Sequence, residues 1–246
     1  MRNEDAWVPS KYVLRRGQLV ASDDSTEVRI GSRLITNLVA SAYSGAIPQY
    51  VHGRLLDLGC GKAPLYGIYR RYVTDVVCAD WSNTLHGATY LDVVCDLSKA
   101  LPLRTASFDS VLLSDVLEHI AEPMALLGEI QRVLKGGGRL LMNVPFYYWV
   151  HEAPHDYFRY TEFALQRMLS RADLRVETLV AIGGMPEAVG DLLGKWLARA
   201  PKGGRFASRM LQGSIQLLCR TPILRGISER TRTLTPLGYL VVARRA

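Results

Sequence analysis

The feature that most constrains this chain is the stretch 54–62, where a short apolar run ends in a glycine-rich turn. The run 55–58 lies between glycines, a pattern typical of a strand buried in a parallel sheet. Gly59 and Gly61 carry no Cβ, so the backbone here can turn tightly and approach a ligand closely. A helix predicted over 64–72 would direct its positive N-terminal end toward that ligand.

Alternating strand and helix patterns follow this turn along most of the chain. Apolar runs predict strands over 55–58, 74–80, 89–95, 108–114, 139–144, 174–182 and 238–243. Helical periodicity predicts helices over 30–43, 64–72, 123–134 and 162–171. Thr161 is placed to cap the helix 162–171, and Gly136–Gly138 are expected to end the helix 123–134. Residues 82–88 are expected to form a short polar connection. This alternation predicts an α/β fold with a doubly wound, mainly parallel sheet.

Composition limits the classes of protein that this chain can belong to. A chain of 246 residues with 48% hydrophobic residues is most simply one α/β domain with additions. Its net charge of +7 permits contact with nucleic acid or an anionic membrane without requiring either. Four cysteines without a Cys-x-x-Cys pair indicate buried thiols in a reducing, cytoplasmic setting. Neither a secretory signal nor an apolar run long enough to span a membrane is expected.

Two segments fall outside the alternating pattern. Residues 1–49 are predicted to form an N-terminal arm followed by a cap helix, and 185–235 to form an insert with helices over 187–199 and 206–218. The insert carries many basic residues and few acids, which fits a solvated helical cap. It also fits a basic amphipathic surface for a membrane or a lipid-linked substrate, whose apolar residues would be Trp196, Leu211, Ile215 and Leu218.

Asp57 decides which ligand suits the glycine turn. A dinucleotide site would have a third glycine where Pro64 stands, and the Asp57 carboxylate would repel a pyrophosphate. A carboxylate at this position suits a cationic ligand, although an ordinary strand–turn–helix connection without a ligand is the alternative. The pattern Asp57-x-Gly59-x-Gly61 resembles motif I of the class I S-adenosylmethionine-dependent methyltransferases, whose cofactor carries an ammonium and a sulfonium group.

The resemblance to this family extends over about residues 50–183 and the last strand. The stretches 107–119 and 132–138 resemble its later motifs, and it implies a Rossmann-like seven-stranded sheet with an antiparallel last strand. We therefore expect the methyltransferase domain to comprise 50–184 and 236–246.

Acidic residues at the ends of successive strands are the expected cofactor ligands. Asp80 ends the second predicted strand, where an acid can bind ribose hydroxyls. The resemblance implies that Asp96 binds the adenine amino group and that Leu97 packs near the ring, while Trp81 offers a flat apolar wall. The full set of expected cofactor-binding residues is Asp57, Gly59, Cys60, Gly61, Asp80, Trp81, Asp96, Leu97 and Ser114.

Two loops at the same sheet edge carry groups able to assist methyl transfer. One hypothesis makes His155 or His151 a general base, oriented by Asp156 or Glu152, with His119 also among the catalytic candidates. A second hypothesis, from a resemblance to small-RNA 2′-O-methyltransferases and ubiquinone-pathway O-methyltransferases, is a divalent metal site. Its ligands would be Asp115, Glu118, His119 and His155, although those enzymes have Glu at the first position. A third hypothesis is that these residues have a structural role and only hold the two loops in place.

The function expected from the sequence is methyl transfer from S-adenosylmethionine to a hydroxyl of a small-molecule, sugar or lipid-linked acceptor. The alternatives are an RNA 2′-O-methyltransferase with a divalent metal and a non-catalytic protein that keeps the fold. Nucleic acid is the less favoured partner because the basic residues cluster in the insert. We expect a cytoplasmic protein that can associate peripherally with a membrane; the sequence does not indicate its oligomeric state.

Overall fold

The computed structural model describes residues 1–81 and 89–246, so the predicted polar connection 82–88 lies outside the described residues. The N-terminal arm, for which the sequence predicted no strands, contains an antiparallel hairpin of β1 (Tyr12–Arg15) and β2 (Gln18–Ala21). Arg16 and Gly17 both have positive φ, at 49° and 77°, as a two-residue hairpin turn of this hand requires. A 3₁₀ turn then leads into α1 (Arg33–Tyr50), which extends seven residues beyond the predicted helix.

The remaining elements build one sheet with helices on both faces. In chain order they are β3 (Gly53–Leu58), α2 (Tyr66–Tyr69), β4 (Val73–Asp80), β5 (Val93–Val94), β6 (Phe108–Ser114), α3 (Pro123–Val133), β7 (Leu134–Pro145), α4 (Glu162–Arg171), β8 (Leu174–Ile182), α5 (Met185–Leu197), α6 (Gly204–Leu218), α7 (Pro222–Thr231) and β9 (Gly238–Arg245). Short 3₁₀ turns at Arg70–Tyr72 and Leu117–His119 complete the connections that matter for the site.

The sheet has seven strands in the order β5-β4-β3-β6-β7-β9-β8. Its pairings are parallel except that β9 runs antiparallel to both neighbours, which confirms the predicted Rossmann-like fold with an antiparallel last strand. Alternate residues of each strand face opposite sides, and each side has its own apolar cluster. The carboxyl ends of β3, β4, β5 and β6 therefore meet at one edge.

Three predicted elements differ from the structure. The strand expected over 89–95 is paired only at Val93–Val94. The helix expected from residue 64 begins at Tyr66, because Ala63 before it has a left-handed φ of 46°. The glycines Gly136–Gly138 do not end α3 but lie within β7. Between the pairs Phe108–Leu134 and Ser110–Arg139, β7 advances five residues while β6 advances two, so glycines accommodate a bulge.

The insert 185–235 contains three helices, α5 to α7; the sequence predicted two of them, and α7 was missed. The chain leaves the sheet after Ile182 and returns at Gly238, and these two residues are partners in the β8–β9 register. In the described residues, none of the helices is both long and apolar enough to cross a lipid bilayer.

Candidate active site

The glycine turn after β3 is shaped by close packing. Gly59 and Gly61 have φ values of 72° and 49°, and the Gly59 N–H donates to the Ala79 carbonyl at 2.7 Å. A Cβ built on Gly59 would lie 2.5 Å from Cγ2 of Val116, in the loop after β6. The absence of a side chain here therefore lets the two loops approach each other at the carboxyl edge of the sheet.

Asp80 fixes the end of β4 relative to the glycine turn. One carboxylate oxygen accepts the Gly61 N–H at 2.9 Å, and the other accepts the Trp81 N–H at 2.8 Å. The side chain is largely buried, so these charge-assisted bonds hold the carboxylate in one orientation. Its position on the strand next to β3 is the one expected for a ligand of ribose hydroxyls.

Asp57, the first of the acids expected to bind the cofactor, lies at the end of β3 beneath the glycine turn. Its carboxyl is buried and accepts a hydrogen bond from the Tyr69 hydroxyl at 2.8 Å, so it supports α2 from beneath the turn. Burial raises the pKa of Asp57 to about 7; the Tyr69 bond opposes this shift and the Asp80 charge adds to it. The buried Asp57 carboxyl therefore keeps its proton to a higher pH than an exposed aspartate does.

The Asp57 pKa predicts how stability depends on pH. The unfolded chain loses this proton near pH ~4 and the folded chain near 7, so the folded state holds more protons between them. Stability from this group is therefore present at low pH and lost as pH rises through that window. We expect Asp57→Asn to flatten the fall in melting temperature between about pH 4 and 7. The surface variant Asp75→Asn is the control, and an unchanged profile in Asp57→Asn would contradict the assignment.

The other expected cofactor ligands occupy the same edge in varied settings. Asp96 accepts the Ser98 N–H at 2.9 Å and the Ser98 hydroxyl at 2.6 Å, which forms a local turn. Leu97 is buried in the core and Cys60 in the glycine turn. Trp81 is half-exposed, with its ring perpendicular to that of His155 and centroids 5.8 Å apart. The Ser114 hydroxyl donates to the Asn143 side chain at 3.1 Å.

Asp115 is engaged by the N-terminal arm. Lys11 Nζ lies 2.6 Å from one Asp115 oxygen, and the Asn143 amide donates to the other at 2.5 Å. Burial disfavours the charged Lys11, but the Asp115 carboxylate together with Tyr12 and Tyr148 outweighs it, so the pKa of Lys11 is raised. Sequence reasoning missed Lys11 because its arm carried no motif; only the Arg16-Gly17 turn could have indicated an ordered hairpin there.

Glu118, His119 and His151 form the most unusual cluster of the site. One ligand atom from each lies within 4.8 Å of the others, and the two imidazole rings are 4.7 Å apart. Glu118 is 0% exposed, yet neither carboxylate oxygen has a hydrogen-bond partner in the described structure. Burial raises the pKa of Glu118 well above its usual range, and the Asp115 charge adds to this. Burial, helped by the neighbouring His119, lowers the pKa of His151.

The predicted histidine pair is divided between two environments. His151 Nδ1 lies 3.3 Å from Asp156, whose other partner is the Arg159 guanidinium, so Asp156 orients the His151 loop. His155 is exposed, with Nδ1 3.1 Å from the Tyr157 hydroxyl. The cluster therefore differs from the predicted metal set: Glu118 and His119 belong to it, whereas His151 takes the place of Asp115 and His155.

Comparison with known proteins identifies the class that this fold and edge define. Residues 56–142, from β3 into β7, match the family model described as a methyltransferase domain. Residues 56–142 therefore form a methyltransferase domain of the S-adenosylmethionine-dependent kind, and S-adenosylmethionine is its cofactor.

Individual relatives agree with this assignment at modest identity. The chain is 27% identical to a ubiquinone biosynthesis O-methyltransferase of Parvibaculum lavamentivorans over 61% of its own length and 68% of that protein. It is 33% identical to the enzyme of the same name from Dinoroseobacter shibae, over 44% of this chain and about half, 49%, of that one. The solved structure of a SAM-dependent methyltransferase from Archaeoglobus fulgidus shares the fold with a TM-score of 0.56, covering 85% of this chain and 93% of that one at 18% identity.

Proposed function

We propose that this protein transfers the methyl group of S-adenosylmethionine to a hydroxyl oxygen of a small-molecule acceptor. The observation that carries the proposal is the fully buried Glu118 carboxyl beside His119 and His151, which has no hydrogen-bond partner in the described structure although His119 Nε2 lies 3.7 Å from one of its oxygens. A buried polar group without a partner costs about 1–3 kcal/mol, so such groups mark places where a ligand completes the hydrogen bonding. The two relatives named as O-methyltransferases support oxygen as the methylated atom.

Aromatic side chains next to this cluster suit a flat acceptor. Tyr147, Tyr157 and Phe158 are all substantially exposed, and the His151 ring packs against Tyr148 with centroids 5.0 Å apart. Exposed rings beside buried polar groups provide apolar walls for a bound molecule and a polar end for its reacting atom. A small molecule, free or lipid-linked, fits this surface better than a folded RNA.

The residues of this chain can position the acceptor and remove its proton. The lowered pKa of His151 keeps its imidazole neutral and able to accept a proton at neutral pH. The acceptor oxygen attacks the methyl carbon in line, the carbon–sulfur bond breaks, and the hydroxyl proton passes to His151. The sulfonium of the donor would become a neutral thioether and so a good leaving group, which makes alignment and proton removal the protein's main contributions.

A divalent cation is a second role that the same cluster fits. One carboxylate and two imidazoles within 4.8 Å match the oxygen and nitrogen ligands of such ions, and the Glu118 oxygens have no hydrogen-bond partner in the described structure that would compete for them. Bound there, a cation would lower the pKa of an acceptor hydroxyl.

A labelled-cofactor assay tests the function. The purified chain with [methyl-³H]S-adenosylmethionine is offered a low-molecular-weight metabolite extract or total RNA in parallel. We expect label in the small-molecule fraction, released by reagents that cleave methyl ethers. Label confined to RNA would replace the proposal with the RNA alternative, and no transfer to either would favour a non-catalytic protein.

The same assay separates the base from the metal. If His151 alone removes the proton, transfer continues in excess EDTA. Loss of transfer in EDTA, with recovery on adding Mg²⁺ or Mn²⁺, would assign the cluster to a cation instead.

A further inference from the structure

The first two helices of the insert bury polar residues and expose apolar ones. On α5 the buried side chains include Glu187, Asp191 and Lys195, and on α6 they include Ser208 and Gln212. A helix on the surface of a globular protein ordinarily does the reverse. The pattern therefore needs an explanation other than packing against this chain.

Specific bonds fix this orientation of the helices. Gln212 accepts the Leu34 N–H at 2.9 Å and donates to the Ile30 carbonyl at 2.7 Å, which ties α6 to the start of α1. Ser208 donates to the Gly194 carbonyl at 2.6 Å, which ties α6 to α5. Neither helix can rotate its apolar side inward without leaving these groups unpaired.

The outward side carries a row of large apolar side chains, which we call the insert face. On α5 it consists of Val189, Leu192 and Trp196, at the spacing of one helical stripe, and on α6 of Phe206, Met210 and Leu217. Trp196 is 69% exposed and Phe206 71%. Exposed apolar residues in such continuous rows mark a surface that binds a partner.

The charge around the insert face identifies that partner. Residues 185–235 hold nine Lys and Arg against three acids, which is +6 of the chain's net +7. Two of the acids, Glu187 and Asp191, are buried, and the third, Glu229, pairs with Arg225 at 2.9 Å. Among the insert's own cations, the exposed ones with no carboxylate partner in the described structure are Arg199, Lys202, Arg205, Arg220 and Arg230.

We propose that the insert face docks peripherally on an anionic membrane. Its apolar residues would enter the boundary between headgroups and acyl chains, and its cations would bind the lipid phosphates. A second copy of the chain fits less well because two inserts, each of net charge +6, would repel each other.

This docking would hold the active-site loop near the membrane. On the buried side of α5, Lys195 Nζ lies 3.9 Å from the centroid of the Tyr148 ring. At the end of that helix the Arg199 guanidinium lies 4.5 Å from the centroid of Trp149. These cation–π contacts join the insert to the loop that carries His151.

Vesicle sedimentation of the full chain tests the proposal without any methyl transfer. We expect binding to phosphatidylcholine–phosphatidylglycerol vesicles, weak binding to phosphatidylcholine alone, and release at high salt. Trp196→Glu should lower the partition coefficient about tenfold or more because burial of the indole is lost. Lys202→Ser with Arg205→Ser should lower it about tenfold through lost headgroup attraction.

The matched control is Phe163→Glu on α4, where an aromatic side chain is equally exposed, at 72%, outside the insert. It should bind vesicles as the native chain does. The proposal is overturned if the native chain does not sediment with anionic vesicles. It is also overturned if Trp196→Glu leaves vesicle binding intact while converting a dimer to a monomer in gel filtration, because the face would then join two copies.

Discussion

Replacing Asp80 with alanine should weaken S-adenosylmethionine binding about a hundredfold. The Asp80 carboxylate holds the Gly61 and Trp81 amides and is the group expected to bind the ribose hydroxyls. Hydrogen bonds to a charged group contribute about 1.5–3 kcal/mol each, so two lost ribose contacts account for a hundredfold or more. Titration calorimetry measures the affinity directly. At a fixed cofactor concentration, the cofactor-induced rise in melting temperature should shrink accordingly.

Two further variants separate ribose binding from support of the turn. Asp80→Asn keeps one oxygen able to accept the Gly61 N–H, so it should largely preserve the turn while losing the charge and the bond to the Trp81 N–H. Asp75→Ala changes an exposed acid on the same strand, paired with Arg54 at 2.9 Å, and should bind cofactor normally. Native affinity in Asp80→Ala would show that the donor does not bind at the tip of β4.

Replacing His151 with alanine should lower turnover about a hundredfold or more while leaving cofactor affinity unchanged. Its neutral imidazole is the group placed to take the acceptor proton, and general bases contribute about 10²–10⁴ to rate. Glu118→Gln should have a comparable effect, because it alters the buried carboxyl of the same cluster with little change in shape. Turnover and cofactor affinity are measured on each variant with the acceptor fraction found in the labelled assay.

Two histidines outside the cluster serve as comparisons. His155→Ala removes the exposed histidine of the same loop, and we expect a smaller loss than in His151→Ala. His52→Ala lies at the other end of the sheet, near Arg139, and should leave turnover unchanged. Equal losses of turnover in the His151 and His155 variants would show that neither histidine acts as the base on its own. Native turnover in His151→Ala would show that His151 has no role in catalysis.

The sheet could be predicted because its signals are local. The strand 174–182 and the helix 162–171 with its Thr161 cap have the bounds that apolar runs and capping chemistry indicate. The hairpin at 12–21 was missed because its strands are short and only its turn carries a signal. The helix α7 was missed because its apolar residues face outward and supply no core pattern.

The site could be predicted only where it lies on the sheet. The ends of the predicted strands placed Asp57, Asp80 and Asp96 at one edge of the sheet. They did not reveal that the Asp57 side chain is buried. The choice between His151 and His155 depends on how the loop folds around Asp156 and Arg159, which spacing alone does not reveal. Lys11 reaches Asp115 across 104 positions of sequence, and a contact that distant leaves no local trace.

Because Ile182 pairs with Gly238, the insert connects two strands, β8 and β9, that are already antiparallel neighbours in the sheet. Because the two strands are already neighbours, a short turn could join them without rethreading the sheet, and the donor-binding edge would keep its connectivity. Related enzymes could therefore differ in this segment, and in the surface that it presents, while the binding site of the methyl donor stays constant.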